Sequence, residues 1–539
     1  MKKIILSIPL MLGASLLYAQ SLESAEQQFY YERYQSAENT YHQILKQQPD
    51  NAQAWYGLTE AYLMQDELSS ATDSLRMAPG SITDQPYYMV AYGSVLLDQG
   101  KKDSAAYFFN EALDETRNKD EDILAAVAQA HIESKNGNPV YAIELIDKAI
   151  KRDKRSAALR VLKGDAYRKQ NNGSEAYKAY KEALEQDDKN AAAMYKIGEI
   201  FLTQKNADLY MDYFKKSVAA DANYAPAIYQ LYTYSFYHDP AKAMQYYQDY
   251  ASKSDHSIQN EYDVTDLLYL NKDYTKAIAR ATELINSEGD KVQPRIYKLL
   301  GYSYAGTKDS ARAIGFMQQY FDKEADSNVI AKDYEIMADL YAHTPGKQDS
   351  AMVYYVKVVS LEKDSAALYG HYKKLAAFAK SQKNYADQAK WMGMYYNGND
   401  RATNVDLFNW ALAHYMAEQY QQADSVFGVY VQKYPEQSFG YYWQARSNVA
   451  RDKDMAEGLA IPYYHKLIEV LQKDTANANY KNWMIEAYAY LAAYEANMQK
   501  DYDEAITYFK KVLEVDPNNA EAKKYISVLA EDDTATGSK

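Results

Sequence analysis

One short pattern recurs along almost the whole chain: an alanine, a large apolar or aromatic residue four positions later, and a small or apolar residue three after that. It stands at Ala37/Tyr41/Ile44, Ala71/Leu75/Ala78, Ala105/Phe109/Ala112, Ala142/Ile146/Ala149, Ala176/Tyr180/Ala183 and Ala243/Tyr247/Tyr250. It continues at Ala277/Ala281/Leu284, Ala313/Met317/Tyr320, Ala351/Tyr355/Val358, Ala423/Phe427/Tyr430, Ala460/Tyr464/Leu467 and Ala505/Phe509/Val512. Weaker copies centre on Phe214 and Met392. The four-then-three spacing puts the three side chains on one face of a helix. The interval constrains the fold more. Ala37 to Ala71, Ala71 to Ala105, Ala142 to Ala176 and Ala243 to Ala277 are each 34 residues, and the other gaps are mostly 33 to 38. A helical face repeated at a fixed interval belongs to a stack of like units that bury their apolar faces on one another.

A second pattern lies upstream of most copies. Trp55-x-x-Leu58-x-x-x-Tyr62 is the clearest, and Leu162-Lys163-Gly164-x-x-Tyr167, Ile197-Gly198-x-x-Phe201 and Leu300-Gly301-x-x-Tyr304 follow the same rule. Each interval therefore holds two helices. Glycine at Gly164 and Gly198 lets a second helix approach closely, and the ring of the following alanine-led triplet fills the remaining space. Only 21 glycines and 12 prolines occur in 539 residues, as suits helices joined by short turns. Pro86, Pro226 and Pro294 fall where first helices should start, and Pro240 follows the capping residue Asp239. Pro462 fits this scheme less well.

The unit W-x2-L-G-x2-Y, then A-x3-F-x2-A, then a proline, here at Pro49, Pro435 and Pro517, resembles the tetratricopeptide repeat. The resemblance covers about residues 22–530. It implies an all-α solenoid of about fourteen helix–turn–helix units in a right-handed superhelix. The units near 191–222, 369–400 and 438–472 depart from the pattern, the last with an insertion at Arg451–Gly458 expected to be an exposed loop. Subdivisions are expected near 250–260 and 397–404. Asn519–Leu529 has the amphipathic pattern of a capping helix, and 531–539 reads as a polar, disordered tail.

Residues 1–19 have the form of a signal peptide: Lys2 and Lys3, a 14-residue mostly apolar run from Ile4 to Leu17, and Ala19 before Gln20. That run is short for a membrane span, which needs about 20 apolar residues. Export is therefore expected, to the periplasm or the periplasmic side of an outer membrane, with no transmembrane span in the mature chain. Without the leader the chain carries 58 basic and 74 acidic residues, near −16, and no basic stripe, which argues against nucleic acid and anionic membrane surfaces as partners.

Catalytic signatures are sparse. With no cysteine, disulfides, thiol nucleophiles and Cys-ligated metals are excluded. The eight histidines (His42, His131, His238, His256, His343, His371, His414 and His465) never fall within a turn of one another, so no zinc-binding helix pair exists. Ser360-Leu-Glu-Lys363 matches the S-x-x-K spacing but lies at a helix junction without companion motifs. Asp452-x-Asp454 and Asp516-Pro-Asn518 begin like calcium loops but lack the glycine and terminal glutamate. No enzyme activity, cofactor or metal is expected.

The composition outlier is tyrosine, 57 residues against 13 phenylalanines and 5 tryptophans. Tyr41, Tyr62, Tyr167, Tyr180, Tyr247, Tyr304, Tyr341 and Tyr355 occupy repeat-consensus positions and are expected to pack between helices. In the family that the repeats resemble, the first helices line the concave face. Transferred position by position, this implies a partner-binding groove of Tyr56, Glu60, Tyr87, Tyr195, Glu199, Arg295, Lys298, Tyr302, Phe408, Tyr415, Tyr490 and Tyr494. Aromatic side chains suit recognition because they offer much contact area at low entropic cost. The Lys/Asn clamp that some such domains use for acidic tails is absent: Tyr56 with Glu60, Val161 with Asp165 and Tyr195 with Glu199 stand at its positions. The expected function is a non-enzymatic scaffold for a protein or extended peptide, in envelope assembly, secretion or regulation. The alternative is a surface carbohydrate binder that stacks sugars on Tyr and Trp.

Overall fold

The computed structural model describes residues 21–536. The leader-like segment, residues 1–19, lies outside the described residues, as do Gln20 and 537–539. Among the described residues there are 29 α-helices and no strand. Twenty-eight of them form fourteen consecutive antiparallel pairs, from Leu22–Tyr30 with Tyr34–Gln47 to Tyr480–Tyr494 with Tyr502–Val515. We call each pair a repeat and its members the A and B helices. The twenty-ninth helix, Ala520–Thr536, packs on the last B helix where a cap was expected, and runs past Leu529 into the polar tail.

The local chemistry of one repeat explains its boundaries. Short polar side chains cap the B helices: Asn138, Asn172, Asn206, Asp239, Asp273 and Asp309 each accept a hydrogen bond from a backbone N–H of the first turn. Each such cap is worth about 1 kcal/mol. In many repeats the residue just before the B helix's cap position is left-handed. Glu32, Asp66, Asn171, Lys205, Lys272, Lys308, Lys383, Glu418 and Lys500 all have φ between 57° and 64°. Glycine holds this place only at Gly100 and Gly346. The prolines behave as expected, and Pro462 also falls in a first turn, that of the B helix Ile461–Lys473.

Packing between helices follows the alanine interval. All twelve alanines that open the strong triplets are 0% exposed. Of the eight consensus tyrosines, six are buried, while Tyr62 and Tyr167 are half-buried. The closest approaches are at glycine. A Cβ on Gly164 would stand 2.2 Å from the Tyr180 ring, and one on Gly93 or Gly198 would stand 2.5 Å from Phe109 or Phe214. Gly57 meets Tyr41 of the preceding B helix in the same way, so the ring-on-glycine contact also links successive repeats. The divergent repeats are regular hairpins too, Ala191–Thr203 with Ala207–Ala220 among them. The insertion after Arg451 is mostly exposed, but it folds around the buried Asp452 carboxylate, which accepts from the N–H groups of Glu457 and Leu459.

Internal contacts divide the chain into two compact halves at Val292/Gln293, between repeats 8 and 9. Within the N-terminal half, repeat 1 folds back onto repeats 6 and 7. The Tyr31 hydroxyl donates to Asp221 (2.9 Å), and the Tyr30 hydroxyl accepts from the Ala192 N–H (3.3 Å) while its ring lies 5.2 Å from that of Tyr224. Asp255 accepts from the Gln35 N–H, the Ser36 N–H and the Ser36 hydroxyl, and pairs with Arg33 at 3.7 Å. These links span 162 to 220 residues of sequence and close the half on itself.

Gly164→Trp is expected to destabilise the N-terminal half by about 1–3 kcal/mol or more through overpacking against Tyr180. Gly315→Ala, at a helical glycine with open space around it, should leave stability unchanged or raise it by about 0.5–1 kcal/mol. Thermal melts of the two variants check the placement.

Candidate binding face of the N-terminal half

Repeats 2, 3 and 4 present their A helices, Ala52–Leu63, Pro86–Asp98 and Glu121–Glu133, side by side. Tyr56 and Tyr87 face each other across the first two, with ring centroids 5.5 Å apart. Both are half-buried. They line a cavity of about 460 Å³ that also receives Phe29, Gln53, Asp122 and Gln129. A second cavity, about 440 Å³, lies toward the C-terminal ends of the same helices and is lined by Leu63, Met64, Ser94, Asp98 and Glu133. Glu60 borders both.

Glu60 is 4% exposed, and its Oε1 has no hydrogen-bond partner; neither has the nearby Ser94 Oγ. Burial pushes the Glu60 carboxyl up to about 8 against the opposing effect of the nearby Ser94 hydroxyl, and the Glu133 and Asp98 carboxylates add to the shift. Burial also raises Glu26, Asp122 and Glu133. Glu133 is exposed and also lines the second cavity. Glu32, in the turn of repeat 1, is accessible and raised for the same reason. It feels Lys196, Glu199, Glu133 and Asp165, which come from the A helices of repeats 4, 5 (Ala157–Lys169) and 6 (Ala191–Thr203).

The cations of this interior are engaged. Lys196 lies 3.5 Å from Asp165 and 3.8 Å from Glu199, Arg168 bonds Glu199, and Lys169 donates to the carbonyls of Ile132 and Ser134. Glu199 is thus tied into an ion-pair cluster. Tyr195 is buried, its ring 5.7 Å from Phe214 and 5.6 Å from Tyr224.

The expected residues of the C-terminal half sit in three separate places. Asp333 is fully buried and accepts hydrogen bonds from Tyr302 (2.6 Å), Tyr320 (3.2 Å) and the Ile330 N–H (3.0 Å), with Lys298 at 3.1 Å. Lys298 and Tyr302 therefore belong to a satisfied polar cluster, beside which Arg295 donates to Gln293. Phe408 packs among Phe427, Tyr430 and Phe439, and Tyr415 lies edge-on to Trp443 at 4.9 Å. Tyr490 is buried against Tyr464 at 4.9 Å, and the Tyr494 hydroxyl accepts from Gln499. Of the twelve expected residues, Tyr56, Glu60 and Tyr87 are the ones that share a cavity. Sequence reasoning missed Ser94, Asp98 and Glu133. Ser94 lies 34 residues after Glu60, so the repeat interval itself could have found it.

Among the described residues no group of three His, Cys, Asp or Glu side chains could hold a metal ion, and no helix is long and apolar enough to cross a membrane.

Family models of the tetratricopeptide repeat match residues 29–89, 127–189, 161–225, 407–436 and 487–519. With fourteen helical hairpins at this interval, the chain is a tetratricopeptide-repeat protein. No curated protein sequence matches it. Among solved structures, it is similar to the C-terminal part of a TPR repeat-containing protein from Cytophaga hutchinsonii, with 26% identity over 49% of this chain and 99% of that one (TM-score 0.28). It is similar to pilF of Pseudomonas aeruginosa, with 21% identity over 41% and 94% (TM-score 0.30). A tetratricopeptide repeat protein from Parabacteroides merdae matches with 15% identity over 47% and 96% (TM-score 0.29). The repeat family is one of protein–protein interaction scaffolds.

A buried acid held neutral makes folding depend on pH. The unfolded chain releases the Glu60 proton near the ordinary value of 4.5, while the folded chain keeps it to about 8. Between those values the folded state binds more protons, so stability falls as pH rises. Glu60→Gln is expected to remove part of that fall, roughly a few kcal/mol between pH 5 and 8.5. Denaturant titrations of both proteins at the two pH values check this.

Proposed function

We propose that this chain is an exported, non-enzymatic scaffold that binds an extended segment of a partner polypeptide on the A-helix face of its N-terminal half. The observation that carries the reading is the Tyr56/Tyr87 pair over a cavity bordered by Glu60. Two half-buried rings offer pre-ordered apolar area, and side chains already held in place lose little entropy on binding. Unsatisfied polar atoms beside them supply orientation. The aromatic sets at Phe408/Tyr415 and Tyr490 are consumed by packing, so this reading assigns them to the framework. Export rests on the leader-like residues 1–19.

The test is crosslinking of the full-length chain in its native envelope, followed by affinity purification and mass spectrometry. The expected result is a polypeptide partner whose recovery falls about ten-fold or more with Tyr56→Ala or Tyr87→Ala, and a recovered chain that begins at Gln20. Recovery unaffected by either substitution overturns the groove, as does tight binding on a glycan array that those substitutions abolish. A recovered chain that begins at Met1 overturns the leader.

A further inference from the structure

The cleft beside Glu60 carries more acid than base. From repeat 2 come Glu60 and, at the turn, Asp66; from repeat 3, Asp98; from repeat 4, Glu133. None of these four carboxylates has an ion-pair partner among the described residues. Lys135 also lines the cleft, and Lys169, which donates to the carbonyls of Ile132 and Ser134, acts on Glu133 and Asp98 without forming an ion pair with either. Tyr41 and Tyr56 approach Glu60 from repeat 1's B helix and from its own helix, both neutral. Glu60 lines the cleft, and its Oε1 is buried without a hydrogen-bond partner. A buried acid without a partner is costly, and a cation brought by a ligand would remove that cost.

We propose that Glu60 is the recognition carboxylate for a lysine or arginine side chain of the partner segment, received in the acidic cleft between the A helices of repeats 2, 3 and 4. The inference rests on the reading that this face binds polypeptide, and it adds the chemistry of what is bound. Three features select a basic side chain over a bare metal ion. The carboxylates are spread along the cleft and form no group that could hold a metal. The volume, about 440 Å³, suits a long side chain. Leu63, Met64, Leu68 and Ala130 line the walls, where an aliphatic stem can lie while its charged head reaches the acids. The arrangement is opposite in sign to a clamp for acidic tails.

Occupation by a cation converts Glu60 from acid to carboxylate. Below pH 8 binding therefore releases a proton, and affinity rises with pH until Glu60 is ionised in the free protein. The experiment is calorimetry on the full chain with a short capped Ala/Arg peptide and with the same peptide carrying citrulline for arginine, in two buffers of different ionisation enthalpy. The expected result is binding of the arginine peptide alone, with proton release at pH 7 and an affinity that rises about ten-fold or more from pH 6.5 to 8.5. Glu60→Gln should lose the proton release and most of the affinity, while Glu111→Gln, an exposed acid on another helix, should change neither. Equal binding of the citrulline peptide, unchanged binding by Glu60→Gln, or displacement of the peptide by millimolar calcium or magnesium overturns the proposal. If Glu60→Gln fails to fold, proton release by the unaltered chain decides alone. The two readings fail separately. A native partner lost with Tyr56→Ala but kept with Glu60→Gln preserves the groove and removes the cation site. A partner kept with both removes the groove.

Discussion

The contact on which the molecule depends is a small residue on one helix set against a ring or branched side chain on the next. Twelve alanines at the repeat interval are fully buried, and the glycines at 57, 93, 164 and 198 admit a ring closer than any Cβ would allow. Each helical glycine costs about 0.5–1 kcal/mol relative to alanine. The short interhelical distance it permits offsets that, because dispersion contacts accumulate over a whole ring. No repeat can bury this face alone, so stability is shared between neighbours. That is why the interval survives where the local motif decays, as at Phe214 on Gly198.

Stacking alone would leave the inward face open. In the N-terminal half, the return of repeat 1 to repeats 6 and 7 turns that face into a walled space. The electrostatics follow. Glu133, Asp165 and Glu199, on the A helices of repeats 4 to 6, act on Glu32, and burial raises both Glu32 and Glu133. Arg168 and Lys196 neutralise Glu199 and Asp165, and the carboxylates of repeats 2 to 4 are left over.

The repeat interval, the helical pairing and the buried alanines were legible because a side chain's face on a helix is fixed by spacing alone. The left-handed turns were not. Lysine and glutamate occupy most of them, and neither signals a positive φ as glycine or asparagine does. The site was legible in part. Tyr56, Glu60 and Tyr87 follow from their place on first helices. Tyr195 and Phe408 occupy similar places, yet neighbouring rings bury them to different degrees, and sequence spacing carries no record of which neighbour arrives. The closing contacts were illegible: nothing in Ser36 or Asp255 points to a partner about 220 residues away.

The binding face depends on the N-terminal half closing on itself through repeat 1. The chain has no cysteine, so two introduced ones can be labelled alone. Gln35→Cys and His256→Cys place labels on exposed side chains beside the Asp255 contact without removing it. Spin-label distance measurement on the full chain should give a single, short, narrow distribution. A broad distribution centred at long distance would show the half to be open and its inward face unwalled.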